Sequence, residues 1–253
     1  MSSDTATKVL IITGASRGIG AVTARLAAAR GYAVCVNYRA NRAAADGVVQ
    51  DITAAGGTAV AVPGDVTVEG EVAHLFATCD QSLGRLTALV NNAGVVDRKA
   101  RVDEMDGARL QRMFATNVFG SFHCAREAVR RMSTAQGGTG GVIVNVGSAA
   151  SRIGSPGEYV DYAASKAAID TFTIGLAKEV ASEGIRVNAV RPGIVRTEIH
   201  ASGGQPNRIE RVQGLVPLRR AGEPHEIAHA ILWLLSAEAT YTTGALLDVA
   251  GGR

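Results

Sequence analysis

Seven apolar runs of strand length punctuate the chain: KVLIIT (8–13), AVCVNY (33–38), TAVAVPG (58–64), TALVNN (87–92), GVIVNVGS (141–148), IRVNAVRP (185–192) and ALLDVA (245–250). Each is nearly continuous in apolar residues, the pattern of a strand covered on both faces. Between them lie longer segments with apolar residues at helical spacing, such as IGAVTARLAAARG (19–31), whose closing glycine is a helix stop. Strand and helix alternate to the end, which predicts an α/β fold built on one doubly wound parallel sheet of about seven strands, with helices on both faces. Two stretches break the alternation: TAQGGTGG (134–141) and the polar RTEIHASGGQPNRIERVQGLVP (196–217). The second is long for a connector and reads as a lid. With no linker and no internal repeat, residues 1–253 read as a single domain.

Composition narrows the class. The chain is 47% hydrophobic and 19% charged, a globular profile, and its thirty glycines against six prolines point to tight turns and close backbone approaches. Twenty-six basic and 23 acidic residues are scattered along the chain, so no charged block marks a nucleic-acid or membrane partner. No apolar run approaches the roughly 20 residues that span a bilayer, and MSSDTATK at the start is polar. A cytoplasmic location is the expectation. Cys35, Cys79 and Cys124 are odd in number and widely spaced, which reads as reduced thiols and not as a disulfide framework or metal site.

The first strand runs through TGASRGIG (13–20) directly into a helix. Glycines at 14, 18 and 20 allow positive φ and let backbone N–H groups approach a pyrophosphate at the positive end of that helix. The spacing is G-x-x-x-G-x-G, which predicts dinucleotide binding. At the end of the second strand, a carboxylate would serve a ribose 2′-hydroxyl and a cation a 2′-phosphate. There the chain reads Asn37, Tyr38 and Arg39, so Arg39 and Arg17 are expected to bracket a phosphate. NADP(H) is favoured over NAD(H) on that ground.

YVDYAASK (159–166) places two tyrosines upstream of a lysine. In a helix, Tyr162 and Lys166 are one turn apart, about 6 Å along the axis, whereas Tyr159 lies about 10.5 Å from Lys166. Bringing a phenol from pKa about 10 to neutrality takes roughly 4 kcal/mol. A unit charge supplies about that much at 4 Å in an effective dielectric of 20, and only about 1.6 kcal/mol at 10.5 Å. Tyr162 is therefore the tyrosine expected to be activated. Tyr159, just after SPG (155–157), is expected at the helix start, lining a pocket.

TGASRGIG, NNAG (91–94), the serine of NVGS (145–148), YAASK (162–166) and RPG (191–193) occur together in an order that resembles the short-chain dehydrogenase/reductase family over essentially the whole chain. The resemblance implies a Rossmann-type fold, a Ser-Tyr-Lys site and a homotetramer built through the helices of 107–132 and 157–181. It makes Tyr162 the general acid/base, has Lys166 lower its pKa and hold the nicotinamide ribose, sets Ser148 on the substrate oxygen, and has Asn117 support Lys166 through a water. It further implies cofactor contacts from Ser16, Ile19, Asp65 and Val66, from Asn91, Ala93 and Gly94, and from Pro192, Gly193, Ile194 and Thr197. Substrate contacts are expected from Ser148, Ile153, Tyr159 and His200, with Val95 nearby. GGTAVAVPGDVT and VNYR resemble bacterial glucose dehydrogenases and 3-oxoacyl reductases, which implies a sugar or a 3-oxoacyl-type compound as substrate. DVAGG (248–252) departs from the VDGG-like ending common in the family and puts the C-terminal contacts in question.

The function expected is reversible transfer of hydride between a nicotinamide cofactor and a carbonyl compound, with Tyr162 moving the proton. A dinucleotide-binding sensor without catalysis is the rival from another class, and the complete Ser148, Tyr162 and Lys166 trio argues against it. Two motifs are decoys. GASRG (14–18) fits the G-x-S-x-G elbow of serine hydrolases, but too few residues precede it to supply the oxyanion loop. HEIAH (225–229) fits a zinc-protease helix, yet the following AILWLL reads as an amphipathic helix capped near Glu223 and Pro224, and no metal is expected.

Overall fold

The structure, a computed structural model, describes residues 8–253; the polar start, residues 1–7, lies outside them. Seven strands form one parallel sheet: β1 (Lys8–Ile12), β2 (Tyr32–Tyr38), β3 (Thr58–Pro63), β4 (Leu86–Asn91), β5 (Gly141–Val146), β6 (Ile185–Pro192) and β7 (Leu246–Val249). Their order across the sheet is β3-β2-β1-β4-β5-β6-β7. Each strand starts and ends within two residues of an apolar run, because a strand buried on both faces has no polar position at which to stop early.

Side-chain alternation divides the core. Leu10, Ile12, Val34, Val36, Val90 and Val144 face one layer of helices, α1 (Gly18–Ala28), α2 (Arg42–Ala54) and α10 (Pro224–Leu235). Val9, Ile11, Ala33, Cys35, Leu89 and Ile143 face the other, which contains α3 (Glu69–Leu83), α5 (Gly120–Met132) and the long α7 (Val160–Val180). Between α3 and α5 lies α4 (Gly107–Phe114), and a single helical turn, α6 (Ala150–Ile153), follows β5. The segment 196–217 is not a bare loop. It folds into α8 (Ile199–Ser202), α9 (Arg208–Val212) and a 3₁₀ turn (Gln213–Leu215), because Ile209, Val212 and Val216 find apolar cover.

Strand order reverses at β1, which pairs with β2 on one side and β4 on the other. Crossovers leave in opposite directions from there, so a crevice opens beyond the carboxyl ends of the strands. Every candidate motif but HEIAH borders that end. The HEIAH helix, α10, begins as its sequence indicates, with Glu223 as N-cap, Pro224 at the first helical position and Glu226 closing a capping box.

Candidate functional site

The crevice is a cleft of about 520 Å³. One end is formed by the glycine turn. Gly14 and Gly18 sit at φ +60° and +55°, a region side chains avoid. A Cβ on Gly20 would stand 2.9 Å from Ala15 Cα and Gly14 O, so only glycine lets α1 start this close to β1. The turn is braced from beneath. Thr13 Oγ1 accepts the backbone N–H groups of Asn92 and Ala93 at 2.9 Å each, and Asn92 Nδ2 donates to Thr13 O at 2.8 Å and Gly14 O at 3.1 Å.

Two predicted cofactor residues also brace the fold. Asn37 lines the cleft, but its Oδ1 accepts from Gly14 N at 3.2 Å and its Nδ2 donates to Gly64 O at 3.0 Å. Its amide thus braces the turn from a place on the cleft lining. Asn91 is held by a neighbour in the same way. Its Nδ2 donates to Asn145 Oδ1 at 2.9 Å, and Asn145 passes the bond to Thr173 at 2.9 Å, so this polar chain ties β4, β5 and α7 together behind the cleft wall. Period-two alternation puts Asn91 on the face of Leu89, in the core, and the next residue, Asn92, at the cleft.

Around the turn, Ser16, Arg17, Ile19, Tyr38, Arg39, Asp65 and Val66 all line the cleft. Arg39 is two-thirds exposed, with its guanidinium 3.7 Å from Asp65, and Arg17 donates to Ser202 of α8 at 3.1 Å. Asp65 Oδ1 accepts from the Thr67 N–H at 2.9 Å and the Thr67 hydroxyl at 2.8 Å, which holds the carboxylate at the cleft wall. Neither Asn37, Tyr38 nor Arg39 brings a carboxylate to the end of β2.

At the other end, α7 begins after Tyr159, its N-cap, and Tyr162 and Lys166 stand one turn apart on its cleft face. The first turn is pinned by a buried bidentate pair: Arg109 of α4 donates to Asp161 at 2.7 and 3.2 Å. Ser148, after β5, lines the same wall and accepts from the Ala150 N–H at 3.1 Å. Burial raises the Tyr162 pKa above that of a free phenol, while the Ser148 hydroxyl beside it and the Arg208 charge pull in the other direction.

Lys166 is almost fully buried, and its Nζ donates to Val146 O at 2.8 Å, 5.7 Å from the centre of the Tyr162 ring. Burial lowers its own pKa to about 8, against the opposing charge of Asp170 one turn further on. Helical phase was a sound guide to which tyrosine faces Lys166. In the chain without cofactor, desolvation dominates at the phenol and the ammonium is hydrogen-bonded to a carbonyl at the end of β5.

Asn117 is completely buried behind this wall, in a π-helical turn (Ala115–Phe119) between α4 and α5. Its Oδ1 accepts from Val95 N at 2.8 Å and its Nδ2 donates to Ser165 Oγ at 3.0 Å. A Cβ on Gly94 would lie 3.4 Å from Lys166 Nζ and 3.5 Å from Asn117 Oδ1, so the absent side chain of Gly94 leaves both groups room. Ala93, Gly94 and Val95 line the cleft.

Pro192, Gly193, Ile194 and Thr197 form the wall that leads from β6 into the lid. Gly193 is obligatory there: its Cβ would meet Ala250 Cα at 2.8 Å, which is the contact that the DVAGG run makes. Ile153 and Tyr159 line the cleft, whereas the His200 side chain lies outside the described residues. In HEIAH the rings of His225 and His229 lie 5.8 Å apart, and Glu226 is occupied by Arg220 through two contacts of 2.7 Å.

A family model described as enoyl-(acyl carrier protein) reductase matches residues 14–253. An uncharacterized oxidoreductase of Escherichia coli, YgfF, is 53% identical over 245 residues, 97% of this chain and 99% of that one. A 3-oxoacyl-[acyl-carrier-protein] reductase of Synechocystis is 38% identical over 246 residues, 97% of this chain and 96% of that one. The chain belongs to the short-chain dehydrogenase/reductase family. A solved member from Serratia marcescens superposes with a TM-score of 0.89 at 33% identity, covering 97% of each chain.

As a short-chain dehydrogenase/reductase, the protein is an enzyme of the oxidoreductase class that works with a nicotinamide dinucleotide. Among residues given no role by the sequence, Thr13 and Asn92 lie inside the motifs TGASRGIG and NNAG, and the strand period is the signal that separates Asn92 from Asn91. Arg208 and Arg253 line the cleft, one from the lid and one from beyond β7, and no motif or spacing marks either.

Proposed function

We propose that this enzyme reduces a carbonyl to a secondary alcohol, and runs the reverse oxidation, with NADP(H) preferred over NAD(H) and residues 1–253 acting as one domain. The observation that carries the proposal is the joint presence of Ser148, Tyr162 and Lys166 on the wall of the cleft that the glycine turn closes. The residues present fit a dinucleotide: side chains are absent at Gly14, Gly18 and Gly94, and Arg17 and Arg39 line the cleft near the glycine turn with no carboxylate at the end of β2. Gly14, Ser16, Gly18 and Ile19 would hold the pyrophosphate, Arg17 and Arg39 the 2′-phosphate, and Lys166 the nicotinamide ribose. When bound, the cofactor supplies or accepts the hydride.

Ser148 and Tyr162 hold the carbonyl oxygen between them, and Tyr162 gives it a proton. The raised phenol pKa keeps that proton in place at neutral pH, the form a donor needs. The tyrosinate left behind is stabilised by the Ser148 hydroxyl and by the ammonium one helical turn away. Asn117 anchors the backbone of Val95 and the side chain of Ser165 behind the pair. The substrate class proposed is a 3-oxoacyl-type or sugar-like carbonyl compound.

Self-association supports the site from outside. Phe119, Phe122 and Ile174 are exposed on the π-helical turn, α5 and α7, and Phe122 stacks on Phe172 at 3.8 Å between ring centres. Such a surface fits burial in a homotetramer. The free thiols of Cys35, Cys79 and Cys124 are consistent with a cytoplasmic site.

The test is NADPH oxidation with a panel of ketones, aldehydes, sugars and 3-oxoacyl thioesters, repeated with NADH. Tyr162→Phe is expected to cut kcat by at least about 100-fold with NADPH affinity near wild type. Undiminished turnover in that variant removes Tyr162 from the chemistry. Tight NADPH binding with no turnover of any substrate favours a dinucleotide sensor.

A further inference from the structure

The substrate end of the cleft carries more positive charge than a neutral ketone requires. Arg208 reaches it from α9 in the lid, with its guanidinium 4.7 Å above the ring of Tyr159 and its side chain nine-tenths buried. Arg253, the last residue of the sequence, lines the same cleft from beyond β7, and Arg152 Nη2 donates at 2.9 Å to its main-chain carboxylate, so that negative charge is paired with Arg152. The two cations feel one another: burial and then the Arg208 charge push the Arg253 pKa down, with only Glu158 opposing. Glu158 is also the carboxylate that Arg208 contacts, and it is shared with Arg211 at 2.8 Å. Three guanidinium groups thus draw on one acid. The acidic side chains among the described lining residues, Asp65 and Glu198, sit with the glycine turn: Asp65 faces Arg39, and Glu198 is 3.6 Å from where a Gly18 Cβ would be.

Cations crowded in a partly desolvated cleft are costly unless a counter-charge joins them, and a planar guanidinium matches a carboxylate or phosphate through paired N–H bonds. We propose that the substrate carries an anionic group, a carboxylate or a phosphate, which Arg208 and Arg253 receive while the carbonyl lies between Ser148 and Tyr162. The inference rests on the reductase reading for the position of the carbonyl, and on the arginines alone for the anion. Arg208 then has two tasks, closing the lid on Glu158 and Tyr159 and reading the substrate, so closure and recognition are coupled.

The test compares matched pairs that differ only in charge: 2- and 3-oxo acids against their methyl esters, and phosphorylated hydroxyketones against the free hydroxyketones. Each pair is assayed with NADPH and also titrated by calorimetry into the full-length protein with NADP+ bound, so binding is read whether or not hydride moves. The anionic member of at least one pair is expected to be favoured by about 10- to 100-fold in kcat/KM, the range of charge-assisted hydrogen bonds. The pair that shows it tells carboxylate from phosphate. In Arg253→Met the ratio of acid to ester is expected to fall about tenfold, and Arg208→Lys, which keeps the charge but loses the planar fork, to reduce it less. Charge-selective binding without turnover sustains the anion site and overturns the reductase reading. Turnover without charge selectivity does the reverse. Equal behaviour of charged and neutral members throughout, in turnover and in binding, overturns the proposal, as does an unchanged ratio in both variants.

Discussion

At the Gly14 end of the cleft the hydrogen bonds run to backbone atoms, from Thr13, Asn37 and Asn92, and the shape is completed by side chains that are missing. At the Tyr159 end they run between side chains, with Glu158, Arg208, Arg211 and Gln205 linked around one phenol. The first arrangement is rigid because its braces run to backbone atoms at the ends of sheet strands. The second joins a lid of short helices to the start of α7 through long side chains, of which Arg211 is half exposed while Arg208 and Glu158 are mostly buried. A site that must hold one invariant cofactor and admit varied substrates has reason to be built in these two ways.

The comparison breaks most readily at Lys166, where the two ends meet. A lysine buried with its pKa lowered to about 8 destabilises the fold while charged, because the unfolded chain binds the proton more tightly. The cost is fully present below about pH 8 and is relieved as pH rises towards the unfolded value near 10.5. Lys166→Met is therefore expected to be more stable than wild type without cofactor, by up to about 3 kcal/mol at pH 7. The gap should close between about pH 8 and 10.5, as read by urea denaturation across pH. A gap that does not move with pH would mean that Lys166 is not held as described.

Rigidity at the glycine turn is tested next. Gly20→Ala drives a Cβ to 2.9 Å from two groups of the backbone, which cannot step aside. A loss of about 2 kcal/mol in stability is expected from such overpacking, together with weaker NADPH binding by fluorescence titration. Arg39→Ala should act on one phosphate and nothing else. It is expected to raise the NADPH Kd about tenfold and leave that of NADH in place. Equal changes for both cofactors would make Arg39 a surface residue of no selective value.

The smallest effect belongs to the lid. Glu158→Gln keeps a hydrogen-bond acceptor but removes the charge that Arg208 and Arg211 share, so amide exchange across 196–217 is expected to quicken by a factor worth about 1 kcal/mol. The same substitution should leave exchange around Gly14 unaltered. Equal acceleration at both ends would abolish the distinction between a braced end and a latched one.

Much of the architecture was readable before any coordinates. Strands buried on both faces leave uninterrupted apolar runs, and β1 to β7 lie almost where those runs do. Glycine was equally legible at 14 and 18, because no other residue rests comfortably at those φ values. Tyr162 was chosen over Tyr159 correctly as the neighbour of Lys166, since helical phase is a local property. Less legible were the bonds that Asn37 and Asn91 make inside the fold, since their partners, Gly64 and Asn145, are distant in sequence.

What stayed hidden was of another kind. Where Lys166 Nζ points depends on a carbonyl twenty residues earlier in the chain, at Val146, and on how deeply α7 is buried. The meeting of Arg208 and Arg253 depends on the lid folding back over a cleft edge that the segment after β7 also reaches. Periodicity, φ preference and one-turn spacing are written in neighbouring residues, so the chain alone carries them. Desolvation, the partner that a buried charge finds, and the gathering of distant cations are set by what the folded molecule brings near, and those decided the electrostatics of this site.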